Sequence, residues 1–121
     1  MLQIIFNEIS AAEMSQLPIE QQLEILNEFQ LSPEDLEKGA GSEHFGSIER
    51  DGLRLHRYRA NELRIYFQIT TEGALVHRVL HRNTLQDFLY RTALPMTEDE
   101  ALSRSKVFWE LIEEGRNARR A

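Results

Sequence analysis

The sequence predicts an α+β domain: an N-terminal strand and a helical hairpin packed on a small antiparallel sheet, with a C-terminal helix added. Three observations carry this. Leu63, Ile65, Phe67 and Ile69 alternate with Arg64, Tyr66, Gln68 and Thr70 at a period of two, as in a strand. Apolar residues between Pro18 and Phe29 recur at helical spacing instead. Pro18, the run Gly39-Ala40-Gly41-Ser42 and Gly73 punctuate the chain between the two patterns.

Taken in order, Leu2, Ile4 and Phe6 form a short strand. Ser10 with Glu13 has capping-box spacing, so a helix is expected from Ala11. Pro18 breaks it, because the residue before a proline leaves the helical region while proline itself suits a helix start. A second helix, about 18–29, is expected to bury Leu23, Leu26 and either Ile19 or Phe29. Ser32-Pro33-Glu34-Asp35 is a cap, a proline and an acidic first turn, the start of one more short helix. A loop then runs to about Phe45. Leu53 and Leu55 suggest one strand parity and Tyr58 and Ala60 the other, which a bulge near His56-Arg57 would reconcile. Thr71-Glu72-Gly73 closes a hairpin whose second strand carries Leu75 to Arg82. A three-residue loop sets Arg64 opposite Leu80, with Arg78 and Arg82 close by, and so builds a basic outer face. Thr97 with Glu100 opens a final helix containing Leu102, Phe108, Trp109, Leu111 and Ile112, and docking of that helix on its own core is favoured over a partner groove. It ends near Gly115, and the tail RNARRA is expected to fray.

The 121 residues suit a single domain, 1–121, with 93–115 as the appended helical segment. No apolar run approaches the roughly 20 residues of a membrane-spanning helix, so no membrane partner is expected. The first residues lack a basic segment followed by an apolar one, so no leader is expected. With no cysteine, thiol chemistry is excluded and a cytoplasmic location fits. Charge is divided along the chain. Met1–Glu49 holds ten acidic residues and one basic, Arg50–Pro95 eight basic and four acidic, within a net charge of −6. A solvated acidic helical layer against a basic sheet would produce this without a function. A face for an anionic partner, above all a nucleic acid, would produce it too.

Several guanidinium groups on one sheet face bind phosphate bidentately and stabilise charge developing on phosphorus. With His81 beside Arg82 as acid or base, such a face suffices to cleave RNA through its own 2′-hydroxyl, without a metal or other cofactor. His77 lies on the apolar parity and reads as a core histidine. Tyr66 shares the face of Arg64, where it stacks on a base or serves as an ordinary sheet tyrosine.

RYRANELRIYFQI followed by LVHRVLHRNTLQDFLYR resembles the paired strands of the RelE/ParE superfamily of bacterial toxin–antitoxin toxins, over about residues 1–91. The resemblance implies a RelE/ParE-like arrangement and a toxin that inhibits translation by cleaving ribosome-bound mRNA as a metal-independent endonuclease. It assigns Arg57, Arg64, His81 and Arg82 to the chemistry, and Arg54, Arg59, Tyr66 and Arg78 to substrate binding. It further implies a cognate antitoxin protein as partner, with the ribosome and its mRNA as target. Phe88 stands where the family usually has a tyrosine and cannot donate a proton; Leu55 stands where the best-known members have lysine. These departures keep two alternatives in view: a ParE-like toxin that binds DNA gyrase without cutting RNA, and an inactive protein-binding member.

Overall fold

In a computed structural model, residues 3–29, 45–60, 62–82, 84 and 98–121 are described. The expected helix after Ser32 and the positions of Phe88 and Thr97 lie outside them. The order of elements is β1 (Ile4–Phe6), α1 (Glu8–Ser15), α2 (Ile19–Glu28), β2 (Phe45–Arg50), β3 (Leu53–Ala60), β4 (Leu63–Thr70), β5 (Gly73–His81), α3 (Glu98–Ser103) and α4 (Lys106–Arg116). Five strands make one mixed sheet in the order β1-β5-β4-β3-β2. β1 runs parallel to β5 and the other pairs are antiparallel, so the sheet is not the purely antiparallel one expected.

Both sheet faces are covered, and this resolves the conflicting parities of β3. Tyr58, Ala60, Leu63, Ile65, Phe67 and Val76 meet Met14 of α1, Ile25 of α2 and the adjoining Phe29. Leu55, Tyr66 and Leu80 meet Leu102, Phe108, Trp109 and Ile112 from α3 and α4, on the opposite face. Leu55 and Tyr58 therefore belong to two cores, and β3 pairs with both neighbours in continuous register without the expected bulge. The irregularity is in β5: Phe67 pairs with Val76 but Tyr66 with Arg78, so an extra residue enters at His77. The β4–β5 turn leaves only Thr71 and Glu72 unpaired, one residue shorter than expected. The bulge restores the difference, and Arg64 still faces Leu80.

Four local expectations are corrected. α1 starts at Glu8, because Asn7 rather than Ser10 is the cap: the Asn7 side chain accepts from the Ser10 amide and Ser10 Oγ accepts from the Asn7 amide. In α2 the inward residue is Ile25 (3% exposed), continued by Phe29 (1%), whereas Leu23 is 64% exposed and Ile19 and Leu26 also face out. Phe29 sets this rotation, its ring lying 4.9 Å from that of Tyr58 and 5.4 Å from that of Phe67. Residues 45–50, which follow the expected loop and carry no expected element, form β2. The turn Asp51-Gly52 takes positive φ at both positions (52° and 81°), as a tight two-residue hairpin requires. Finally, the tail does not fray. Ala121 N–H donates to Phe6 O, Glu8 N–H donates to Arg119 O, and Arg120 pairs with Glu72, so the C-terminus lies along β1.

Candidate nucleic-acid interface

The strand register brings together five of the eight expected site residues. Arg57 faces Tyr66, Arg59 faces Arg64 and Tyr66 faces Arg78, all on the side of the sheet that bears Leu55 and Leu80. The gathering of basic side chains on one face is therefore as expected, but the face does not look outward. α3 and α4 lie on it, seated by Leu102, Phe108 and Ile112. Arg57 is 5% exposed and Arg64 4%, and the Tyr66 ring is wholly buried against that of Phe108 at 5.0 Å.

α3 supplies the counter-charges. Arg64 Nε donates to Glu98 Oε1 at 2.9 Å, and its Nη1 donates to the Leu63 carbonyl at 3.0 Å. Arg57 Nε lies 3.2 Å from Asp99 Oδ1. That pair is close but misaligned, and among the described residues Arg57 Nε and Nη1, Asp99 Oδ1 and the Tyr66 hydroxyl make no hydrogen bond. Gly46 of β2 makes the space for Arg57, since a Cβ there would collide with the guanidinium. Burial raises the Asp99 carboxyl above its usual range, Glu98 adding to the effect and Arg57 opposing it. Burial, reinforced by Glu98 and then Asp99, drives the Tyr66 hydroxyl well above the ordinary phenol range, so it stays a neutral donor.

Arg78 is held elsewhere, by Glu13 of α1 at 2.9 Å and Glu114 of α4 at 3.4 Å. It borders a groove of about 420 Å³ that also takes in Leu63, His81, Thr84 and Leu111. His81 is exposed and pairs with Leu63, so by register it belongs to the α1–α2 side, away from Arg64. Arg82 is exposed at the end of β5, its amide donating to Glu62 O. Arg54 is exposed on the face opposite Arg57, 3.9 Å from Glu49. The expected chemical quartet is thus divided: Arg57 and Arg64 lie beneath α3, Arg82 at the strand end and His81 on the other side. His77 is in the core, with Nε2 2.7 Å from Gln68 Oε1, and burial holds its pKa down at about 4, with Arg116 adding to the effect.

Sequence reasoning missed Glu98, Asp99 and Gly46. The first two had a signal, a run of three acids just ahead of an amphipathic helix, which was read only as a helix start. Gly46 had none, because the guanidinium it accommodates is eleven residues away. Among the described residues no three or more histidine, aspartate or glutamate side chains cluster as metal ligands, and no helix is long and apolar enough to cross a membrane. Comparisons with protein families, curated proteins and solved structures find no match.

Proposed function

We propose that this chain is a RelE/ParE-like protein of the toxin–antitoxin kind that inhibits translation by engaging ribosome-bound mRNA through the Arg57–Arg64 face. The observation that carries the reading is the convergence of Arg57, Arg59, Arg64 and Tyr66 on one sheet face, where the buried Arg57–Asp99 pair is too poorly aligned to serve stability alone. Buried ion pairs of this quality cost more in desolvation than they return, and side chains serving only the fold would be apolar here. Arginines placed this way neutralise consecutive phosphates, and neutral Tyr66 supplies a hydrogen-bond donor or a ring for a base. With His81 on the opposite side, the face offers phosphate recognition more directly than proton transfer, so cleavage depends on an acid from elsewhere.

Induced expression with separate readouts of mRNA cleavage, protein synthesis and the DNA-damage response tests the reading. Translation should stop, and Arg64→Ala with Arg82→Ala, confirmed at equal abundance, should restore it. Arrest by the double variant equal to that by the parent chain would overturn the proposal. A DNA-damage response with intact translation would favour a gyrase-directed toxin. A second reading, a non-catalytic protein-binding module, is favoured by the exposed stripe Ile19, Leu23 and Leu26 on α2. It predicts neither arrest nor damage.

A further inference from the structure

Arg57, Arg59 and Arg64 share the sheet face beneath α3 with two of its carboxylates, Glu98 and Asp99. The fit between Arg57 and Asp99 is geometrically poor. Two nitrogens of Arg57 and the Tyr66 hydroxyl are buried without a hydrogen bond among the described residues, on the sheet face that α3 and α4 cover. The carboxylates fill this site without satisfying it.

The two covering helices are not held alike. α4 buries Phe108, Trp109, Ile112 and Gly115, receives Arg78 Nη1 on its Leu111 carbonyl at 3.1 Å, and takes a hydrogen bond from Asn7 on its Gly115 carbonyl at 2.7 Å. α3 has six residues and buries only Ala101 and Leu102. Between them Ser105 is extended (φ −88°, ψ 115°) and caps α4 by accepting from the Phe108 amide, so α4 keeps its own start when α3 is absent. Seating α3 also involves a hydrogen bond from Trp109 Nε1 to Ser103 O and the Arg64–Glu98 pair, both of which its displacement breaks.

We propose that α3 is an internal competitor for a phosphodiester strand. Glu98 and Asp99 occupy the places of two phosphates on Arg64 and Arg57, and a single-stranded RNA gains the site by displacing α3 while α4 stays seated. This rests on the proposed function for the identity of the ligand. A phosphodiester presents two charged non-bridging oxygens, which serve a guanidinium and Tyr66 together where Asp99 leaves one oxygen misaligned, so the exchange improves the hydrogen bonding of Arg57. Affinity is reduced by the fraction of molecules with α3 seated, and removing the competing charge removes that reduction.

The test uses the full chain and a short labelled single-stranded RNA of mixed sequence. Glu98→Gln with Asp99→Asn keeps the shape of α3 and removes its charge; binding by anisotropy should tighten at least tenfold. Adding Arg57→Ala and Arg64→Ala should abolish the gain. Unchanged affinity in the first variant overturns the proposal. Because that variant removes two carboxylates from beside buried arginines, the parent chain is measured as well, by hydrogen exchange at saturating RNA. Amides of 98–103 should lose protection while those of 106–116 keep it, and retained protection over 98–103 overturns the proposal. Translation assays separate the two levels. RNA that displaces α3 without arresting translation refutes the toxin reading and supports the competitor. Arrest that needs Arg57 and Arg64 while α3 stays protected does the reverse.

Discussion

Asn7 is a single side chain on which three elements depend, and its replacement by alanine gives a measurable account of the fold. Its Oδ1 accepts from the Ser10 amide at 2.7 Å, capping α1. Its Nδ2 donates to the carbonyls of Val76, His77 and Gly115 at 3.2, 3.1 and 2.7 Å, joining α1 to β5 and α4 in a buried site. Loss of the cap costs about 1 kcal/mol. Val76 O keeps its bond from Ser10 Oγ and Gly115 O its bond from the Ala118 amide, so the two lost N–H donors cost roughly 0.5–1.5 kcal/mol each. Asn7→Ala should therefore destabilise the chain by roughly 2–4 kcal/mol. That is a large part of the 5–15 kcal/mol typical of a domain, in urea melts followed by Trp109 fluorescence. Asn7→Asp retains the cap acceptor and loses the donor, so it isolates the inter-element share. An Asn7→Ala loss below about 1 kcal/mol would refute the role given to this residue.

Other side chains carry equally definite expectations. Just beyond α2, Phe29→Ala should cost roughly 3–5 kcal/mol, and within it Leu23→Ala no more than about 0.5 kcal/mol, measured by denaturant melts; the expectation from helical spacing would make the Leu23 change large. His77 is held near pKa 4 in the fold against 6.5 when unfolded, so between those values the unfolded chain takes up a proton that the folded chain refuses. Stability should fall as pH drops from about 6.5 to 4, by roughly 3 kcal/mol, and His77→Gln should flatten that slope in melts at pH 7, 5.5 and 4.5. Asp99, whose carboxyl is raised, contributes in the opposite sense, so the slope is best read as the difference between variant and parent. At Gly115 a Cβ would strike the His77 carbonyl, and Gly115→Ala should lower the melting temperature despite alanine's higher helix propensity.

What the sequence made legible was periodicity. The alternation of β4, the helical spacing around Pro18, the burial of His77 and the docking of Phe108 and Ile112 could all be read locally. Three kinds of information could not. The inward side of α2 depends on Phe29, one residue beyond the helix, finding the rings of Tyr58 and Phe67 across more than twenty-five residues. The bulge at His77 leaves no mark in an apolar run, and it happens to offset the shorter turn, so Arg64 reached its partner by a different route. The Asp51-Gly52 turn was legible and overlooked, and with it β2. For the site, parity gathered Arg64, Tyr66 and Arg78, whereas Arg57 and Arg59 share that face by continuous register and without the expected bulge, which leaves Arg54 and His56 on the other side. A face basic by parity was taken to be open because nothing in a strand pattern says what a helix forty residues later will cover.

That cover also allows stability and function to be separated. Burying Leu102, Phe108, Trp109 and Ile112 stabilises the seated helices by roughly 6–12 kcal/mol, taking about 1.5–3 kcal/mol per side chain. This exceeds any net contribution from the Arg57–Asp99 pair, whose misalignment leaves desolvation uncompensated. If the pair is present for a ligand, an apolar replacement of both partners should hold the fold at least as well. Arg57→Met with Asp99→Leu should be neutral or stabilising by up to about 4 kcal/mol, while Asp99→Leu alone, which strands a buried guanidinium, should cost roughly 3–5 kcal/mol. The same double variant should lose RNA binding. A double variant less stable than the parent by more than about 1 kcal/mol would mean that the pair belongs to the architecture, and the case for an anion site beneath α3 would lose its physical basis.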